Sequence, residues 1–311
     1  TGAMKTRYVQ SEPVSLAGRR PDRSIYADKH YQPLTLIEAG RGCRLNCEFC
    51  CICRFYKHLH TQRPAEEVAA EIAHLRPRRI FFTDDNLGTD REQFRALLKA
   101  LIPLRVPWSG QIGIDVSRDE ETLRLMRASG CVCVLVGFES LNPAVLDAMG
   151  KDVNRRAQTY RAAAEAFSRH GIALYGTFVF GYDADTADSF ERTFAFARRS
   201  GLFFAAFNHL VPFPGTPLYE RLRASGRLVD DAWWLSESYR FGDFAFRLPN
   251  DAQSEVADRC YAYRRRFYAL PSILRRLANW RANARSPSRL MLFLTLNLLS
   301  GGDVARRQRL P

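Results

Sequence analysis

The chain has 311 residues, 46% hydrophobic and 25% charged, which excludes a disordered or fibrous chain and supplies one large core plus an appendage. A formal net charge of +13 favours an anionic neighbour such as phosphate, nucleic acid or an acidic membrane face, and says little about any reaction. Eight cysteines, five of them within residues 43–53 and no signal peptide ahead, suit a metal in a reducing, cytoplasmic compartment better than a disulfide framework. The opening Thr1-Gly2-Ala3-Met4 lacks the regions of a signal sequence and is expected to be a tag remnant.

After a polar lead over residues 1–33, short apolar or β-branched runs alternate with longer stretches of helical period. Strands are expected at 34–38, 79–83, 111–115, 132–138, 173–180 and 203–210. Amphipathic helices are expected at 64–75, 91–102, 119–129, 154–170 and 186–200. This order predicts an α/β fold: a partial (β/α)6 barrel over 34–225, then a helical, basic C-terminal extension over 226–311. In such sheets functional groups collect where strands end, and Cys43, Asp84, Asp115, Glu139 and Gly181 all fall at or just past expected strand ends.

Cys43, Cys47 and Cys50 have the spacing C-x3-C-x2-C just after the first expected strand. Three thiolates can hold three irons of a [4Fe-4S] cubane and leave the fourth open to a chelating ligand, a role that the amino and carboxylate groups of S-adenosylmethionine suit. The competing reading is a zinc knuckle with Cys51 or Cys53 as fourth ligand, or a set of buried thiols. Cys51 and Cys53 read as packed or incidental, Cys131 and Cys133 as core, and Cys260 shows no partner.

Five motifs in order, RGCRLNCEFC, FFTDDN, VGFESLNPAVLDAMGK, YGTFVFGYDADT and PFPGTPLY, resemble the radical S-adenosylmethionine superfamily over roughly residues 33–240, and within it the branch fused to a cobalamin-binding domain. The resemblance implies that Phe49 lies near the adenine and that Thr83, Asp84, Asp85 and Asn86 meet the methionine amino group. It further implies Asp115 at the ribose, Glu139 and Ser140 near the cofactor, and Gly181 and Tyr182 approaching the adenine. On their own chemistry, Asp84 and Asp85 could equally form a helix cap, and Glu139, following an apolar strand, asks for a cation or hydrogen-bond donors. Pro212, Pro214, Gly215 and Pro217 read as a scaffold turn. Tyr175, His209, Tyr219, Trp233, Trp234 and Tyr239 could line a substrate cavity or simply pack.

About thirty residues precede the first strand and hold no Asp-x-His-x-x-Gly motif, so the chain is either a piece of a longer protein or lacks the cobalamin domain, and cobalamin is expected only if a domain is missing. The implied reaction is reductive cleavage of S-adenosylmethionine and radical activation of an unactivated carbon. Methylation or rearrangement of a small or lipid-like substrate follows, with electrons from a flavodoxin or ferredoxin. The alternatives are cobalamin-independent radical chemistry, or a non-catalytic metal-containing module bound to membrane or RNA.

From Cys260 onward eleven arginines face the single Asp303, interleaved with aromatic residues. Such helices can lie on the inner face of an anionic membrane, bind nucleic acid, or cover the open side of the barrel with a basic face outward, which is the favoured reading. The run 290–299 is too short for a membrane span.

Overall fold

The computed structural model describes residues 4, 6, 14–26, 29–31, 34–156, 160–240, 242–249 and 252–306; residues 1–3 of the tag-like opening lie outside them. Its strands are β1 (Thr35–Ile37), β2 (Gly40–Gly42), β3 (His60–Gln62), β4 (Ile80–Phe82), β5 (Trp108–Ile112), β6 (Cys131–Glu139), β7 (Ala173–Phe180) and β8 (Phe204–His209). Six of them form one parallel sheet in the order β1-β4-β5-β6-β7-β8, while β2 and β3 pair antiparallel to one side. The helices of the barrel are α1 (Cys51–Phe55), α2 (Ala65–Leu75), α3 (Arg91–Leu101), α4 (Glu120–Ala128), α5 (Pro143–Ala148), α6 (Asp152–Arg156), α7 (Tyr160–Arg169), α8 (Ala187–Arg199) and α9 (Pro217–Ala224). The extension adds α10 (Gln253–Phe267), α11 (Leu270–Arg276), α12 (Trp280–Asn283) and α13 (Pro287–Arg306). The chain is a partial (β/α)6 barrel with a helical extension.

Local chemistry starts these helices. Asp90, Asp119, Asn142 and Thr216 each accept a backbone N–H from the first turn of α3, α4, α5 and α9, and proline begins α5 and α9. Parallel strands buried on both faces demand apolar side chains throughout. Phe138, Phe178 and Phe207 accordingly stack across β6, β7 and β8, with ring centroids 5.6 and 5.8 Å apart.

Three expectations need correction. The strand placed at 111–115 is Trp108–Ile112, and Asp115 stands in the following 3-10 turn, Ile114–Arg118. The helix placed at 154–170 is α7, preceded by the separate α6; residues 157–159 lie outside the described ones. The cysteine loop does not follow β1 directly, because β2 intervenes and its partner β3 returns after α1. These strands of three residues, one of them Gly-Arg-Gly, are too short to show a period.

The extension meets its favoured reading in part: α10 covers the β8 edge of the sheet, with Arg265 and Arg266 exposed. Helix α10 lies along β8 and α8, and α11 to α13 lie under the amino ends of β6 to β8, where Ile273 and Phe293 pack on Ala173 and Phe203. Two arginines turn inward rather than out. Arg289 Nε donates to Ala282 O at 2.9 Å and Nη2 to Val132 O at 2.5 Å. Arg276 is fully buried: Nη1 donates to the carbonyls of Leu202 (3.1 Å) and Phe203 (3.0 Å) and to Asn297 Oδ1 (2.8 Å), Nη2 donates to Phe267 O (3.0 Å), and the guanidinium lies 3.9 Å from the Phe267 ring centroid. Burial pulls Arg276 down to about 10. A planar fork can satisfy these divergent carbonyls at once, whereas an ammonium cannot. Arg276→Leu is therefore expected to cost about 3 kcal/mol or more in urea unfolding, with Arg276→Lys recovering less than half.

Candidate active site

The carboxyl ends of β4 to β7 and the loop 43–50 line an open cavity of about 260 Å³. Cys43, Cys47, Cys50 and Cys53 line one part of it; Phe49, Asp85, Asn86, Gln111, Glu139, Lys151, Asn154 and Thr177 line the rest.

The thiol wall is held from below. Asp85 Oδ2 accepts the N–H of Gly42 at 2.9 Å, fixing the residue before Cys43. Gly42 itself has φ +87, and a Cβ there would overlap Leu59 O, so only glycine passes the turn into the loop. Asn86 ties three segments together: Oδ1 accepts the N–H of Gly88 (3.1 Å) and of Gly113 (3.0 Å), while Nδ2 donates to Cys43 Sγ at 3.8 Å. The neighbouring Cys53 side chain holds the Cys43 and Cys50 sulfurs below the usual thiol range, and Cys53 is itself pushed above it. Cys53 is packed, as expected, and lines the same cavity as the three motif cysteines. Burial pushes Cys47 up to about 11, with the nearby Lys151 charge opposing.

Opposite stands a buried ion pair, Glu139 with Lys151. Strand β6 ends in a bulge at Gly137/Glu139, and Glu139 takes φ +62, a left-handed conformation that costs about 1–3 kcal/mol and turns its carboxylate inward. Asn154 fastens that bulge, its Nδ2 donating to Gly137 O (3.0 Å) and Phe138 O (2.9 Å). Lys151 arrives through a Schellman turn. Gly150, at φ +64, donates to Asp147 O (3.0 Å), and Lys151 N donates to Leu146 O (3.1 Å), which reverses the chain after α5. A Cβ at Gly137 would overlap Glu139 Oε1 and crowd Lys151 Nζ, so a side chain there would displace the ion pair. Although burial opposes its charge, the fields of Glu139 and the cysteines raise Lys151 above the usual range.

Of the residues named from sequence, Cys43, Cys47, Cys50, Phe49, Asp85, Asn86 and Glu139 line this cavity, and Thr83, Asp84, Asp115, Ser140, Gly181 and Tyr182 do not. Thr83 Oγ1 donates to Ile37 O, and Ser140 Oγ accepts the N–H of Asn142. Asp115 pairs with Arg91 at 2.6 Å. Gly181 and Tyr182 donate their N–H groups to Asp185 and line a neighbouring cleft with Glu48 and Arg221. Neither Asp84 nor Asp85 caps a helix; Asp90 does that for α3. The aromatic candidates pack instead of lining the thiol cavity: Tyr175 on Phe204, His209 beside Phe244, Tyr219 near Trp234, Trp233 on Tyr239. Lys151 and Asn154 were missed, although a buried Glu139 asks for a cation and Lys151 closes the same motif.

Asp84 belongs to the floor. Its Oδ2 accepts the Ala39 N–H at 2.9 Å, and burial pushes its carboxyl up to about 7 despite that donor. The folded chain then holds a proton that the unfolded chain has released above 3.8, so stability falls as pH rises between those values. Asp84→Asn is expected to remove a slope of up to about 1.4 kcal/mol per pH unit in that window, read from urea unfolding at a series of pH values.

The donor set suits an iron–sulfur cubane. The three motif thiols and that of Cys53 share one wall, Cys43 and Cys50 biased toward thiolate, with polar side chains across a small cavity. A zinc site asks for four donors about one ion. Thiolates that each bind a different iron need no common point.

Residues 37–197 match the Radical SAM superfamily. The chain belongs to that superfamily. This radical SAM chain is 32% identical over 251 residues to bacteriochlorophyllide d C-12(1)-methyltransferase of Chlorobaculum tepidum, covering 77% of the chain and 54% of that protein. It is 28% identical to hopanoid C-2 methylase of Rhodopseudomonas palustris, covering 77% and 46%. The chain spans about half the length of these curated relatives. Its fold matches the cobalamin-dependent S-adenosylmethionine radical enzyme OxsB (TM-score 0.56, 13% identity, 86% of this chain and 46% of that one). It also matches the radical S-adenosylmethionine methyltransferase TsrM of Kitasatospora setae (TM-score 0.55, 19% identity, 62% and 37%).

Proposed function

We propose that this chain is the catalytic barrel of an enzyme that cleaves S-adenosylmethionine reductively and uses the resulting radical on an unactivated carbon of an apolar, polycyclic substrate, with methylation as the outcome. The observation that carries this reading is the single cavity shared by three cysteine thiols, Asp85, Asn86 and the Glu139–Lys151 pair. Cys43, Cys47 and Cys50 hold the [4Fe-4S] cluster, which when bound supplies the electron for cleaving the sulfonium. Asp85 and Glu139 offer carboxylates to the methionyl ammonium, Asn86 orients the loop that carries Cys43, and Phe49 flanks the adenine. Thr83, Asp84, Asp115, Ser140, Gly181 and Tyr182 act from the floor and rim; Asp115 reaches a ribose only by leaving Arg91. The substrate class is supported by the tetrapyrrole and hopanoid named for the relatives. The excess of basic residues suits an acidic electron donor of flavodoxin or ferredoxin type.

Asp85→Asn tests the binding half of this reading, because it keeps an oxygen for the Gly42 N–H while removing the charge. Iron content is expected to stay at the wild-type level while S-adenosylmethionine affinity, read by calorimetry on the anaerobically reconstituted protein, falls about tenfold. Unchanged affinity removes Asp85 from the site. Reductant-dependent formation of deoxyadenosine tests the chemistry, and methyl transfer to a tetrapyrrole or hopanoid, assayed with and without added cobalamin, tests the outcome.

A further inference from the structure

The outer face of the C-terminal helices is apolar where a solvated helix carries charge. Leu270 and Leu274 on α11, Trp280 on α12, and Met291, Leu298 and Leu299 on α13 are each more than half exposed. No charged residue occurs over residues 290–302. The inward stripe of α13 is spent on Phe293 and Asn297, both fully buried, and its opposite stripe is again Met, Thr and Leu. A helix apolar on both faces has a second apolar or interfacial neighbour. Helices α11 and α12 each pack on α13, so the three form one group beneath the barrel.

We infer that this face docks the protein on an anionic lipid bilayer, with α11 to α13 lying in the interface. Charge decides among the possible occupants. Arg275 and Arg281 are exposed among these apolar residues, and among the described residues no carboxylate pairs with either. Apolar side chains with arginines around them match acyl chains with anionic headgroups above. A two-fold pairing of two copies through the same face buries Arg275 and Arg281 of each copy with no carboxylate among these face residues to meet them. No helix among the described residues is long and apolar enough to cross a membrane, so the docking is at the surface. The face lies at the amino ends of the strands and the thiol cavity at their carboxyl ends, so docking is independent of the proposed chemistry.

The test is co-sedimentation of the full chain with vesicles of phosphatidylcholine alone or mixed with phosphatidylglycerol, at low and at high salt. Binding to the anionic vesicles is expected to exceed that to phosphatidylcholine by about tenfold and to weaken with salt. A Leu274→Glu, Leu298→Glu double variant loses binding with its urea midpoint unchanged. A blue shift of tryptophan emission on binding disappears in Trp280→Phe, and Cys47→Ala still binds. Absence of binding, or equal binding to both vesicle types, overturns the inference. So does a dimer in lipid-free buffer that the double variant dissociates, because the face then belongs to a second copy.

Discussion

Cys47→Ala is expected to abolish the cluster: after anaerobic reconstitution the variant retains iron and sulfide only at background, and forms no deoxyadenosine. With one of three thiolates gone, two irons of the cubane lack a protein ligand, and neither of the remaining neighbours replaces it. Cys53 already interacts with Cys43 and Cys50, and Cys51 does not line the cavity. Fold stability changes little by comparison, since Cys47 is protonated before iron arrives and its removal deletes one small side chain. The urea midpoint thus separates loss of ligation from loss of fold. Cys51→Ala is the matched control and keeps its iron. Full iron content in Cys47→Ala, or loss of iron in Cys51→Ala, overturns the ligand assignment.

Lys151→Met is expected to destabilise the protein by about 3–5 kcal/mol, because it leaves the Glu139 carboxylate buried without a counter-ion. The double variant Glu139→Gln, Lys151→Met recovers most of the loss, since two neutral groups of similar volume carry no uncompensated charge. The sign of the pH dependence follows from Lys151. Its folded value is raised above the ordinary 10.5, so its stabilisation is fully present below 10.5 and is lost as pH rises through the folded value. Urea unfolding at neutral pH therefore reads the full effect. An equal loss in the single and double variants shows that packing, not the ion pair, holds this turn.

Much of this protein was readable because the signals are local. The cysteine spacing lies within eight residues, and five of the six barrel strands fall within one residue of their expected ends, because a strand buried on both faces must be a continuous apolar run. The sixth slipped where Trp108-Ser-Gly-Gln-Ile mixes polar residues into the run. Asp84 and Asp85, adjacent and alike in sequence, part company only in the fold: in the loop after β4 Asp84 turns to the Ala39 N–H and Asp85 to the Gly42 N–H and the cavity. In the same way the composition of the extension declares it basic, but only packing decides that Arg276 and Arg289 turn inward.

The amino-acid sequence by itself determined the barrel, the C-x3-C-x2-C motif proposed to hold the cluster, and the superfamily, since each rests on periodicity, spacing or motif order along the chain. Tertiary structure alone decided that Lys151 answers Glu139, that Cys53 joins the sulfur wall, and that α13 keeps an apolar face outward. Those facts depend on where a turn or a helix returns in space, and no pattern of neighbours along a chain encodes the direction of that return.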